Sequence, residues 1–312
     1  MKKYLILGGN GFIGRYLTSR LSAQNEVVVA DYHINCDESM PNVCYQQFDF
    51  VNCKDFSSLL DGVDTVIHLI STIVPNEDTN HIQKEIADNV FPTIQLLDDM
   101  VKCETKKIVF LSSGGTVYGE HSKDKISEDE KTEPICNYGI IKDLIEKYLK
   151  LYSLYYQLDY RIIRLANPYS DVTKNGRSQG IIPIITDQLL AGEMVTVWGD
   201  GEDIRDYIYI DDAIDAILKI MEYDGEEKTF NVGTGNGYTV NQLLSLISEQ
   251  LNVKNAKICY QDDRKCDVKN NILDIYRIVS LVGWEPKVSL ENGVKEIVKR
   301  KNKGVHNYED EK

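Results

Sequence analysis

The 312-residue chain has little of what several protein classes require. Its seven cysteines (Cys36, Cys44, Cys53, Cys103, Cys136, Cys259 and Cys266) are odd in number and scattered, and none forms a CxxC pair. That argues against a disulfide framework or a thiolate zinc site and for reduced thiols in a cytoplasm. The five histidines make no HxxxH or HExxH pair, and the neighbours His33 and Cys36 have no second pair to complete a ligand set, so no metal is expected. No apolar run reaches the roughly 18 residues that cross a bilayer. Two N-terminal lysines and the apolar residues 4–7 imitate a secretory signal, but glycines end the run too soon. Basic side chains are the scarcer sign: 35 Lys+Arg against 49 Asp+Glu give a net charge of −14, which disfavours a nucleic-acid partner. The one dense basic run, residues 299–303, precedes Glu309, Asp310 and Glu311 and reads as a solvated tail.

What is present is a globular composition, 42% hydrophobic and 27% charged, with length for one large or two ordinary domains. The first half alternates short apolar runs with helical patterns, the mark of parallel βαβ units. Residues 4–7, 27–30, 65–70, 108–112 and 161–165 read as strands buried on both faces. Residues 12–23, 89–101 and 138–156 have helical periodicity; in the last, Ile141, Leu144, Ile145, Tyr148, Leu149, Tyr152, Tyr155 and Tyr156 are expected on one stripe. Residues 123–134 look like a charged surface loop. Beyond about residue 167, glycines and prolines punctuate shorter elements. The expected architecture is α/β: a doubly wound parallel Rossmann sheet over residues 1–166, and a smaller C-terminal substrate-binding lobe over 167–312. Residues near 205–235 are expected to return to the first domain.

The first strand runs into Gly8-Gly9-Asn10-Gly11-Phe12-Ile13-Gly14 and then a helix. Gly8 permits the tight turn, Gly11 lets backbone approach a pyrophosphate, and Gly14 lets helix and strand pack closely. Phe12 and Ile13 open the helix, whose unpaired N–H groups and dipole favour an anion. Asp31 closes the second strand, where a carboxylate accepts both hydroxyls of an adenosine ribose and repels a 2′-phosphate. NAD is therefore expected over NADP, with Arg15 leaving room for the latter. Asp49, with Phe50 beside it, is placed to reach an adenine amine, although an ordinary loop aspartate fits as well.

Tyr138 and Lys142 lie four apart at the start of the long helical segment, so both project from one face. A phenol with a pKa of about 10 is a poor proton shuttle at neutral pH. Lowering it by about three units takes about 4 kcal/mol, which a neighbouring ammonium and a nicotinamide cation can supply. Such a tyrosine exchanges the proton of a substrate hydroxyl. The spacing alone is common, since Tyr308 and Lys312 share it. What distinguishes this pair is the preceding strand end, Leu111-Ser112-Ser113-Gly114-Gly115-Thr116-Val117-Tyr118-Gly119, which brings small hydroxyls to the carboxyl edge of the sheet.

Together GGNGFIG, Asp31, SSGGTVYG and YGIIK resemble the extended short-chain dehydrogenase/reductase superfamily, and within it the NAD-dependent epimerase/dehydratase family. The resemblance is strongest to nucleotide-sugar 4-epimerases, of the UDP-glucose 4-epimerase kind, and to 4-keto-sugar reductases. It continues through RLANPY (164–169), WGDGEDIRDYIYIDD (198–212), FNVGTG (230–235) and GWEPKVSLENGV (283–294), covering nearly the whole chain. By that resemblance Tyr138 is the acid/base, and Lys142 holds the nicotinamide ribose and lowers the tyrosine pKa. Asn167 contacts sugar or diphosphate, Arg205 binds phosphate, and Arg264 with Asp267 contacts phosphate and nucleotide ribose; Arg suits this because its fork grips phosphate bidentately. Surface ion pairing for Arg205 and Arg264, and a turn role for Asn167 before Pro168, are the plainer readings. The resemblance also implies a homodimer through the helices containing 89–101 and 138–156.

The sequence departs from the pattern at one place. Gly114 stands where the family's 4-epimerases carry the hydroxyl that touches substrate; Ser113 and Thr116 flank it, and Thr116 shares a side with position 114 in an extended segment. The Asp-Glu pair that 4,6-dehydratases carry after their threonine is missing. Three activities follow as expectations: a 4-epimerase with tightly held NAD, a reductase of a nucleoside-diphosphate 4-keto-6-deoxyhexose, or a sensor that binds the dinucleotide without turnover.

Overall fold

The computed structural model describes residues 1–34, 40–75, 80–121, 123–171, 173–174, 177–178 and 180–309, with side chains omitted at 173–174, 177–178 and 302–309. Cys36, Gly176, Asp310, Glu311 and Lys312 lie outside the described residues. The chain divides into two units. The first comprises Met1–Gly119, Lys131–Arg164 and Ile217–Phe230; the second comprises Glu120–Glu130, Leu165–Ala216 and Asn231–Lys312.

The first unit is built on β1 (Lys3–Leu7), β2 (Glu26–Asp31), β3 (Val43–Gln47), β4 (Thr65–His68), β5 (Lys107–Ser113) and β6 (Asp159–Leu165), with α1 (Phe12–Ser22), the short α2 (Ser57–Leu60), α3 (Ile82–Lys102) and α4 (Asn137–Tyr156). A seven-stranded sheet runs β12 (Thr229–Val232)-β6-β5-β4-β1-β2-β3, and the pairings from β5 to β3 are all parallel. This is the doubly wound order, which reverses between β1 and β4 and leaves a ligand crevice at the carboxyl ends there. Strands such as Tyr4–Leu7 in β1 and all of β4 are buried, which is why they read as unbroken apolar runs. β3 escapes that pattern because it is the sheet edge, and only its alternate residues are partly covered. The core beneath the sheet joins Leu5, Val28, Phe56, Leu97, Phe110 and Leu149. α3 starts at Ile82, earlier than the apolar stripe suggests, and continues through Pro92.

The second unit contains β7 (Asn167–Tyr169), the two-residue ladder of β8 (Thr173–Lys174) and β9 (Arg177–Ser178), α5 (Ile181–Ala191), β10 (Met194–Trp198) and β11 (Ile204–Tyr209). α6 (Ile210–Glu222) passes from this unit into the first. β13 (Gly237–Thr239), α7 (Val240–Leu251), β14 (Lys257–Gln261), β15 (Asn270–Asn271), α8 (Tyr276–Val282) and α9 (Leu290–Glu309) complete it. β11 is its organising strand, pairing with β7, β13 and β15. α7 begins with a capping box in which Thr239 and Gln242 satisfy each other's backbone N–H groups.

Two local expectations are corrected here. Residues 123–134 are not a plain surface loop: Ile126 is buried and bridges Leu273, and Glu128 accepts the Asn231 N–H at 2.8 Å. An apolar residue amid charges anchors the segment. The basic run is not a solvated tail but part of α9. Its Arg300 pairs with Asp171 at 3.1 Å, and Lys301 pairs with Asp187. The helix buries Val294, Ile297 and Val298, keeps Lys299 and Arg300 exposed, and places Lys301 one turn further along the buried face against Asp187.

Candidate active site

At the carboxyl end of β1 the chain turns at Gly8, whose φ of +84° favours glycine. A Cβ on Gly14 would lie 2.4 Å from the Gly8 carbonyl oxygen and 2.6 Å from the Gly9 Cα, so only glycine fits where α1 crosses the turn. Gly11 is the N-cap of α1 and offers no side chain to it, so the N–H groups at the helix start, including those of Phe12 and Ile13, keep no side-chain cap. Asp31, the last residue of β2, accepts the Asn10 N–H at 3.0 Å and the His33 N–H at 3.5 Å. Each carboxylate oxygen keeps a lone pair for a ribose hydroxyl. This cradle fits a dinucleotide pyrophosphate and ribose. Asp49 is held in its own turn by Asn52, whose backbone N–H and Nδ2 donate at 3.2 and 2.8 Å. Those bonds, the Asn52 side chain's first, lower its carboxyl pKa. The Phe50 ring belongs to the core, 5.8 Å from Phe56 and 5.1 Å from His68 between centroids.

At the carboxyl end of β5 and the start of α4 the structure joins Tyr138, Lys142, Ser113 and Leu111 in one group. The end of β5 engages one face of α4 residue by residue. Lys142 Nζ donates to the Leu111 carbonyl at 2.8 Å, Ser112 Oγ donates to Glu146 Oε1 at 2.5 Å, and the Ser113 hydroxyl is hydrogen-bonded to Tyr138. The Lys142 ammonium stands 4.8 Å from the Phe110 ring centre and 5.7 Å from that of Tyr138. Thr116 follows in the turn with its hydroxyl buried and without a partner. Gly139 admits this turn, since a Cβ there would meet the Thr116 carbonyl oxygen at 2.7 Å. At the start of α4, Asn137 is bonded to Glu85 of α3.

The protein's own groups do not by themselves make the phenol acidic. Tyr138 keeps part of its surface accessible, yet its packed surroundings push its pKa up to about 12; the neighbouring Cys136 adds to this and the Ser113 hydrogen bond opposes it. Burial also pushes Lys142 down to about 8 against the pull of the Glu146 carboxylate. Desolvation is the largest cause for Tyr138, and the protein alone holds a neutral phenol. His68, at the end of β4, is held near 3 by burial and then by the Lys142 charge; its Nε2 lies 3.1 Å from Thr93 Oγ1. It is a neutral imidazole at physiological pH.

The second unit gathers the other candidates. Arg264 donates Nε and Nη2 to Asp267 at 2.8 and 2.7 Å, and its guanidinium lies 5.7 Å from the Trp198 ring centre. Arg205 reaches the same carboxylate, and that of Asp203, only at 3.8 Å. Asn167 is in β7, not in a turn, and its Nδ2 donates to the Asp206 carbonyl at 2.9 Å.

Three residues that sequence reasoning passed over complete the first unit's group. Glu146 and Arg164, 1% and 3% exposed, form a bidentate ion pair with contacts of 2.7 to 3.3 Å. Glu146 was visible as a charge set into the apolar stripe, one turn beyond Lys142. Asn89, 4% exposed in α3, exchanges hydrogen bonds with Thr72 at 2.9 and 2.6 Å, fixing the segment after β4. That segment includes Ile70, which packs on Gly8. Among the described residues no group of three or more His, Cys, Asp and Glu could hold a metal.

A doubly wound sheet with a glycine cradle at β1, and a tyrosine, lysine and serine gathered at the end of β5, defines a dinucleotide-dependent short-chain dehydrogenase/reductase. The sequence model of the NAD dependent epimerase/dehydratase family matches residues 4–233, and the chain belongs to that family. The dTDP-4-dehydro-6-deoxyglucose reductase of Escherichia coli is 32% identical over 306 residues, 95% of this chain and 96% of that protein. A putative UDP-glucose 4-epimerase of Methanocaldococcus jannaschii is 33% identical over 94% of this chain and 96% of its own length. The crystal structure of the Thermotoga maritima UDP-glucose 4-epimerase with UDP-glucose superposes with a TM-score of 0.89 at 33% identity, covering 97% and 99% of the two chains.

Proposed function

We propose that the protein is a nucleotide-sugar 4-epimerase of the UDP-glucose 4-epimerase type, using NAD. The observation that carries this reading is the Tyr138–Ser113–Lys142 group where α4 meets the end of β5, two strands from β1 and its glycine turn in the same sheet. Gly8, Gly11, Phe12, Ile13 and Gly14 hold the pyrophosphate, Asp31 the adenosine ribose, Asp49 and the Phe50 backbone the adenine side, and Lys142 the nicotinamide ribose. Bound NAD supplies the acceptor and donor for the hydrogen at sugar C4. Tyr138 Oη takes the proton of the 4-hydroxyl and returns it after the 4-ketone has turned over. Burial, with Cys136 adding to it, holds the phenol near 12, so the residues around Tyr138 keep it protonated unless a further positive charge is bound beside it.

Ser113 is committed to Tyr138, whereas the Thr116 hydroxyl is unpaired. Thr116 therefore donates to the substrate oxygen in place of the hydroxyl that Gly114 lacks. Thr116→Val is expected to lower kcat with little change in KM, and unchanged kcat would assign that contact to Ser113. Arg205, Arg264 and Asp267 bind the diphosphate and nucleotide ribose, and Asn167 the sugar side. The Asp31 carboxylate favours NAD over NADP by charge. The test is purified protein, without added cofactor, given a panel of UDP- and dTDP-linked hexoses and 4-keto sugars with product stereochemistry read by NMR. Interconversion of gluco and galacto sugars supports the epimerase.

A second reading, reduction of a nucleoside-diphosphate 4-keto-6-deoxyhexose, is favoured by the reductase relative that matches the same length at similar identity. It predicts stoichiometric consumption of NADH or NADPH by a 4-keto substrate. No helix among the described residues is long and apolar enough to cross a membrane, and a cytoplasmic homodimer completes the proposal. Its support is the apolar surface of α3 and α4: Phe91, Leu154 and Tyr155 are 63, 77 and 70% exposed. Sedimentation of Leu154→Glu as a monomer, against a dimeric parent, checks it.

A further inference from the structure

Successive residues of β5 lock onto successive turns of α4: Leu111 to Lys142, Ser112 to Glu146 and Ser113 to Tyr138. Behind them, Arg164 of β6 closes on Glu146 through Nε and Nη2, and its guanidinium lies 4.8 Å from the Tyr118 ring centre. Two fully buried charges are an expensive way to hold a helix to a sheet. Replacing such a pair with apolar side chains of similar volume is often neutral or stabilising, so stability does not explain its presence. What the pair offers, and apolar packing does not, is a single register and a fixed negative charge one turn from Lys142.

We propose that Glu146 is a positioning residue of the reaction: clamped by Arg164 and Ser112, it fixes the turn of α4 that carries Tyr138 and Lys142, and it supplies the negative charge that the Lys142 ammonium faces. This rests on the reading that Tyr138 and Lys142 carry the chemistry. The charged and titratable groups around Lys142 are Tyr138 and Glu146 on its own helix, His68 from β4, and Arg164 from β6 beyond Glu146. Tyr138 and His68 are neutral at physiological pH, which leaves Glu146 as the anion. Lys142 titrates at about 8, so loss of that anion moves its discharge into the working range.

The experiment compares the parent with Glu146→Met/Arg164→Met and with Glu146→Gln/Arg164→Gln, two changes that remove the pair without stranding a buried charge. Two quantities are read: the Lys142 titration midpoint, by NMR of protein labelled with 13C-lysine, and the pH profile of kcat. The expected result is folded protein with the Lys142 midpoint lowered by at least about one pH unit. The basic limb of kcat should move to acid by the same interval, with KM little changed. A folded double variant with an unmoved midpoint and an unmoved profile makes the pair purely structural and overturns the proposal. The midpoint is read without turnover, so a parent inactive on every nucleotide sugar sinks the epimerase reading while the electrostatic claim is still decided.

Discussion

The two units hold their charged side chains in opposite ways. In the first, Lys142 and the Glu146–Arg164 pair are almost fully buried, with Lys142 bonded to the Leu111 carbonyl and Ser112 and Arg164 to Glu146. In the second, Arg264 is 39% exposed, Arg205 reaches its acidic neighbours only at 3.8 Å, and Asp267 is shared between the two arginines. Burial changes proton affinity by units, whereas a partly exposed pair at 3.8 Å such as Arg205–Asp267 is worth little. Under the proposed function the difference is a division of labour: the first unit holds the proton-transfer group, and the second offers Arg205 and Arg264, whose carboxylate contacts mark where a diphosphate would bind. Carboxylates in the place of phosphate oxygens are stand-ins of the same charge and geometry.

The largest expected effect breaks the buried side. Tyr138→Phe should lower kcat by at least about a hundredfold while bound cofactor content stays at the parent level; near-parental turnover would remove Tyr138 from the chemistry. Next, Arg205→Ala should raise KM for the nucleotide sugar by about tenfold or more, the worth of a charge-assisted hydrogen bond, with kcat little affected. A fall in kcat at constant KM would erase the contrast between the units. Asp31→Ala, also in the first unit but on the cofactor side, should weaken NAD and narrow its advantage over NADP. Equilibrium binding of both cofactors measures this, and unchanged affinities would mean the ribose is held elsewhere.

The smallest effect concerns His68. Its folded pKa near 3 lies below the unfolded value of 6.5, so between these pH values the unfolded chain binds the extra proton. Stability therefore falls as pH drops from 6.5 towards 3, by at most about 1.4 kcal/mol per unit from this group. Denaturant titrations should show a shallower acid loss in His68→Gln than in the parent.

The sheet and the glycine turn after β1 were legible in the sequence because parallel strands leave continuous apolar runs and the turn leaves a fixed spacing. Edge strand β3 was not, since VCYQQ is covered on neither face enough to show a pattern. The Tyr138–Lys142 pair was legible from helical spacing. The phenol's high pKa was not, because desolvation depends on how many atoms of α4 and β5 close round the ring rather than on the residues next to it in sequence. Arg164 opens the RLANPY segment, yet its partner lies across a strand–helix connection, and nothing in linear spacing pairs it with Glu146. Arg205, Arg264 and Asp267 were named separately, and only folding of β11 and the segment after β14 makes them share a carboxylate.

The most direct measurement of the central claim uses UDP-glucose carrying deuterium at sugar C4, incubated with the protein and no added cofactor. The account predicts UDP-galactose that keeps its deuterium at C4, while the proton exchanged by Tyr138 equilibrates with water. Product that has lost the label to solvent, or no galacto product from a protein that carries NAD, would contradict it.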